Sequence, residues 1–126
     1  MKFQPDDAPG VNLITRHESG AVWVGATRHA GSLLVPWAGA VRAWPVATLE
    51  DLSAAHFEAI AALEPEVVIF GSGARLRFAP PALLRALIDR RIGVETMDTS
   101  AACRTYNVLA SEGRLALAAL LLPAAV

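Results

Sequence analysis

The sequence predicts an α/β fold: a single three-layer domain with a mixed central sheet, helices on its faces, and additional N-terminal β-hairpin structure. Three observations carry this expectation. From residue 67 onward, apolar strand-like runs alternate with helix-like stretches in the order strand, helix, strand, helix, strand. Before that, "VNLITRHESGAVWVGATRHAGSLLVPW" alternates short apolar runs with turn signals such as "ESG" and "HAG". The chain has 126 residues, 54% of them hydrophobic and 18% charged, so it can bury one core without disulfide or metal staples. The expected boundaries are a flexible N-terminus over 1–10, the domain over 11–122 and a tail over 123–126, with no repeat, low-complexity segment or linker.

The elements follow in order. Antiparallel strands are expected over 11–17, 21–28 and 32–36. A short fourth strand in "GAVRAW", 39–44, ends at Pro45, which has no N–H for a ladder. Over 53–63, Phe57, Ile60 and Leu63 fall on one helical stripe; Ser53 stands at the N-cap, Leu52 can staple the entry, and Pro65 stops the helix. "VVIF", 67–70, is an apolar run of buried-strand type. "GSGARLRF" reads as a loop with room for a short strand. Residues 80–91 read as a helix opened by prolines, with Leu83, Leu84, Leu87 and Ile88 on its apolar face. "VETM" is the next strand. A helix then runs from Thr99 to Glu112 with Gly113 as its C′ residue, and "RLALAALL" is the last strand.

The densest polar chemistry lies in "VETMDTSAACRTYN", 94–107. Asp98, Thr99 and Ser100 over-supply the helix start with capping groups, which leaves spare hydroxyls. Thr99, Cys103 and Asn107 recur at i, i+4 and i+8 and share a face, while Arg104, Asn107 and Ser111 form a second polar line. The partial positive charge of a helix N-terminus suits the Asp98 carboxylate. Cys103 sits where a thiolate would be stabilised, but a cysteine nucleophile needs a base, and His17, His29 and His56 are distant in sequence and in no motif. A buried, inert thiol is the expectation. "GSG", 71–73, follows a strand as a phosphate loop would, yet lacks both the G-K-[ST] ending and the third glycine of the dinucleotide fingerprint. Arg75 and Arg77 alternate, so on a strand they would point the same way, either gripping a small anion with Gly71–Gly73 or charging a sheet edge. The candidate binding set is Gly71, Ser72, Gly73, Arg75, Asp98, Thr99, Cys103, Arg104 and Asn107. No catalytic constellation, metal-ligand spacing or cofactor motif is present in the sequence.

The formal net charge of −1 leaves no electrostatic footprint for nucleic acid. One cysteine excludes an internal disulfide and a multi-cysteine zinc site. "MKFQPDDAPG" has acids and prolines where a signal peptide needs an apolar run, and "LALAALLLPAAV" is too short to span a bilayer. A cytoplasmic protein without membrane insertion is therefore expected. Trp23, Trp37 and Trp44 concentrate in the N-terminal half, where a tryptophan cluster on a hairpin can anchor a partner. Exposed hairpin edges would also support a symmetric homodimer.

"VVIFGSG" followed by "GVETMDTSAACRTYNVLASEGRLALAALL" resembles the family of small uncharacterised proteins that includes mitochondrial complex I assembly factor three. Its pattern is a strand ending in a G-[ST]-G turn, then a helix and a strand, an M-x-T step, an alanine-rich helix carrying T-Y-N-x-L and E-x-R, and a final A-A-L-L strand. Trp44 fits the tryptophan that follows the early hairpins, and the similarity runs over about residues 12–122. The resemblance implies a three-layer α/β domain, action through a protein partner, and no established reaction. Gly71, Ser72, Gly73, Asp98, Thr99, Thr105, Tyr106, Asn107, Glu112 and Arg114 are its motif positions. It casts Gly71 and Gly73 as a turn, Thr99 as a cap and Glu112 with Arg114 as an ion pair. Two functional readings follow: a non-catalytic binding or assembly module, and a small-molecule enzyme or sensor with a cleft between the 71–75 loop and the start of the 99–112 helix.

Overall fold

The computed structural model describes residues 10–122. Apart from Gly10, the expected flexible N-terminus and the 123–126 tail lie outside the described residues. Ile14–Glu18 (β1), Ala21–Val24 (β2) and Thr27–Ala30 (β3) form an antiparallel three-stranded sheet. Leu33–Pro36 (β4), Arg42–Ala43 (β5), Val67–Gly71 (β6), Gly93–Met97 (β7) and Ala116–Leu120 (β8) form a five-stranded mixed sheet in the order β5-β4-β8-β6-β7. β6 runs parallel to both its neighbours, and β4 runs antiparallel to both of its own. Ala54–Ala61 (α1), Arg85–Asp89 (α2) and Thr99–Ser111 (α3) are the helices.

Strand periodicity divides the core into two layers, one on each face of the large sheet. Leu33, Val35, Val67, Ile69, Ala116, Ala118 and Leu120 point to one face, where they meet Ala102, Cys103, Tyr106 and Ala110 of α3 and Ile14, Val22 and Val24 of the small sheet. Leu34, Val68, Phe70, Leu117 and Ala119 point to the other, where they meet Phe57, Ile60 and Ala61 of α1 and Leu87 of α2. Every residue of β6 and β8 is buried, as expected for strands covered on both faces. Trp44 joins the second layer, edge-on to Phe57 and Phe70 at 6.0 and 6.2 Å between ring centroids.

The three-layer mixed α/β expectation is met, with several local corrections. The expected 21–28 strand is two strands, because Val24 pairs with Thr27 across a two-residue Gly25-Ala26 turn in which Gly25 has φ 58°. The "HAG" glycine, at φ 82°, is therefore not a hairpin turn; there the chain leaves the small sheet for β4. The 39–44 strand shrinks to Arg42–Ala43. The 80–91 helix is a 3₁₀ turn, Pro81–Leu84, followed by the short α2. The change of period from 3.6 to 3.0 rotates the leucine stripe, so Leu87 is buried while Ile88 is exposed. Arg75 and Arg77 lie on irregular chain rather than on a strand.

Candidate functional site

β6, β7 and β8 are mutually parallel, so their C-terminal ends meet at one edge of the sheet. Gly71 ends β6 beneath the first turn of α3. A Cβ there would come within 2.9 Å of Thr99 Oγ1, 3.0 Å of Thr99 Cα and 3.1 Å of Ala102 Cβ, so glycine permits this approach. Gly73 follows with φ 108°, a conformation in which a side chain is strained. Its N–H donates to Thr99 Oγ1 (2.9 Å), and its carbonyl accepts from the Thr99 N–H (2.9 Å). The Thr99 hydroxyl in turn donates to the Leu121 carbonyl (2.8 Å). Ser72 is buried; its N–H donates to Met97 O (2.9 Å), and its hydroxyl donates to Arg75 O (2.8 Å) while accepting from the Arg77 N–H (3.0 Å).

Along α3, the N-cap is Asp98, whose carboxylate accepts from the Ala101 N–H (2.9 Å). Thr99 is thus the first helical residue and not the cap, which corrects the role the resemblance implied. Cys103 is 2% exposed, and burial pushes its thiol pKa up from 9.0 to about 11. This matches the expected burial of the thiol. The buried Tyr106 hydroxyl donates to Asn12 O (2.6 Å), and burial raises its pKa as well. Asn107 donates to Ile14 O (2.6 Å) and accepts from the Ile14 N–H (2.8 Å), pairing with β1 as a neighbouring strand would. Arg104 is exposed and donates to Ser100 Oγ (3.0 Å), which lies 3.3 Å from His17 Nε2.

The candidate set therefore separates. Gly71, Ser72, Gly73, Asp98 and Thr99 come together at the sheet edge, whereas Cys103 is in the core, Asn107 is at β1, Arg104 is on the outer surface and Arg75 is exposed on the loop. The 71–75 loop and the start of α3 are bonded to each other directly. An open depression of about 300 Å³ remains beside that contact, bordered by the β1–β2 turn, Gly73, Asp98 and Ser100. On the α3 side of this depression, Asp98, Thr99 and Ser100 already have partners within the chain, and His17, Glu18 and Ser19 line the other side. A second depression, of about 270 Å³, lies on the far side of the loop, near Glu50 and Arg77.

Three partners are not legible in the sequence. Arg77 pairs with Glu50, 27 residues away, and this contact holds the Glu50 carboxyl below its usual range. Arg114 pairs with Glu66 (3.1 Å) and not with Glu112. The Leu115 N–H, followed by Arg114, holds the Glu66 carboxyl low. The parallel alignment of β6 and β8 sets Glu66 beside Arg114, and sequence spacing carries no sign of that pairing. His17 reaches Ser100 only because β1 packs beside α3. No group of three or more metal-ligating side chains occurs among the described residues, and no described helix is long and apolar enough to cross a membrane.

Comparison with known proteins agrees with this architecture. A Bordetella parapertussis protein of known crystal structure superposes with a TM-score of 0.85 at 37% identity, covering 91% of this chain and 98% of that one. The proteins named NADH dehydrogenase [ubiquinone] 1 alpha subcomplex assembly factor 3 from Bos taurus and Danio rerio are 42% identical to it over 82 and 88 residues, or 64% and 68% of this chain. Those stretches are 45% and 51% of the relatives, so the chain spans about half the length of the curated relatives it matches. The model of the family described as "Protein of unknown function (DUF498/DUF598)" matches residues 14–121, and the chain belongs to that family.

Proposed function

We propose that the chain is a non-catalytic module that binds a protein partner and assists assembly of a multi-subunit complex. One observation carries this reading: Ser72, Asp98, Thr99, Tyr106 and Asn107 all spend their side-chain polar groups on the chain's own backbone. Thr99 joins Gly73 to Leu121, Ser72 holds the loop to Met97 and Arg77, and Asn107 holds β1. Groups committed in this way are not poised to meet a substrate. The assembly role in the names of the bovine and zebrafish relatives supports the same class of action. The sensor or enzyme reading is less well supported, because the two loops meant to flank its cleft are bonded together.

Affinity purification of the tagged chain from its native cell tests the proposal. A partner recovered in stoichiometric amount, and retained by Cys103→Ser, is the expected result. Turnover of a small substrate by the isolated chain, with no partner recovered, would overturn it. Thr99→Ala and Asn107→Ala variants that melt like the parent but lose all partner binding would keep the module reading and make residues 98–107 its contact site rather than a structural joint.

A further inference from the structure

The outer face of the small sheet carries a row of three side chains that lie outside both core layers. Arg16 of β1, Trp23 of β2 and Arg28 of β3 are directly opposite one another in the antiparallel register. Alternation along β2 sends Val22 and Val24 into the core and Trp23 the other way. Trp23 packs against neither core layer, whereas Trp37 and Trp44 each join one. Instead, both guanidinium groups lie over its ring, Arg16 at 4.7 Å and Arg28 at 5.7 Å from a ring centroid. Arg16 also pairs with Glu18 on its own strand. Arg28 has no carboxylate partner among the described residues.

We propose that this Arg16–Trp23–Arg28 row is a docking surface for an acidic segment of a partner protein. The inference rests on the partner-binding reading above and assigns it a surface. Tryptophan and arginine are the residue types that most often dominate binding at protein interfaces. The cation–π contact with the ring restrains the planar Arg28 fork, so less rotamer freedom is lost when a carboxylate takes both its donors. The indole then offers apolar area beside that pair. Charge selects an acidic occupant. Glu18 at one end of the row and the net charge of −1 disfavour a long phosphate backbone, which needs several unpaired cations in line. Within the fold alone, the row would only add cross-strand stabilisation to a hairpin.

The test is an NMR titration of the ¹⁵N-labelled chain with a ten-residue peptide of alternating Glu and Leu, following the three indole N–H signals. The Trp23 indole should move, while those of Trp37, bonded to Ala110 O at 3.0 Å, and of buried Trp44 should stay. Arg28→Glu should weaken the apparent affinity at least about tenfold with the spectrum of the fold retained, Arg28→Lys should weaken it less, and a Lys/Leu peptide should leave Trp23 unmoved. No movement with the Glu/Leu peptide, or equal movement with the Lys/Leu peptide, overturns the proposal. A thymidine oligonucleotide that moves Trp23 more than the acidic peptide does also overturns it, in favour of nucleic acid. Each of those failures would leave the partner-binding reading standing, because co-purification tests that reading separately.

Discussion

The Thr99 hydroxyl satisfies a donor and an acceptor from two different segments, Gly73 N–H and Leu121 C=O. Thr99→Ala leaves both without their partner, and a buried group left unpaired costs about 1–3 kcal/mol. A fall in melting temperature is therefore expected, and Thr99→Ser should recover most of it by restoring the oxygen. Gly71→Ala acts on the same contact from the other side. Its new methyl group would sit 2.9–3.1 Å from Thr99 and Ala102, in backbone-anchored surroundings that have little room to shift. Overpacking of this kind costs about 1–3 kcal/mol. Thermal denaturation of both single variants and the double variant checks the argument. Because the two residues touch, their losses should not add.

At the scale of elements, α3 is defined by its ends and by one side chain in its middle. Asp98 caps the start. At the finish, Gly113 at φ 82° donates to Ala110 O and Arg114 donates to Leu109 O, the two bonds of a Schellman turn. Gly113→Ala should cost about 1–2 kcal/mol, because an L side chain is strained at that φ, and urea denaturation should show it as a lower midpoint with unchanged slope. Asn107 is the bolt between α3 and β1, whose Ile14 N–H and C=O it engages. Asn107→Ala is expected to speed hydrogen exchange along β1 while leaving β8 protected, since β8 is held by β4 and β6. Equal loss of protection in both strands would mean that the small sheet does not open separately.

For the whole molecule, the buried thiol and phenol make stability fall at alkaline pH. The folded pKa of Cys103 is raised from 9.0 to about 11, so its contribution is fully present below pH 9 and is lost as pH rises toward 11. A shift of this size corresponds to about 2–3 kcal/mol. Tyr106 is raised in the same direction by burial, so it adds a loss of the same sign above its ordinary pKa of 10.0. Denaturant midpoints at pH 8 and pH 10.5 should show a marked drop for the parent and a smaller drop for Cys103→Ala. An equal drop in both would mean that the thiol is not the group that titrates.

Much of this architecture is written locally. "VVIF" and "ALAALL" are apolar throughout because β6 and β8 are covered on both faces, and that continuity is readable without coordinates. The same holds for the Gly113 stop and for the capping chemistry at Asp98, since both depend on neighbours within a few residues. The 80–91 segment misleads for a physical reason: a leucine stripe specifies a buried face but not whether the turn beneath it has 3.6 or 3.0 residues. The polar segment 94–107 shows its limits in the same way. By itself the sequence determined which residues there can make hydrogen bonds. The tertiary structure alone decided with whom: Thr99 with Gly73 and Leu121, Tyr106 with Asn12, and Asn107 with Ile14. Those partners lie 22 to 94 residues away, and only strand order and helix placement bring them within reach.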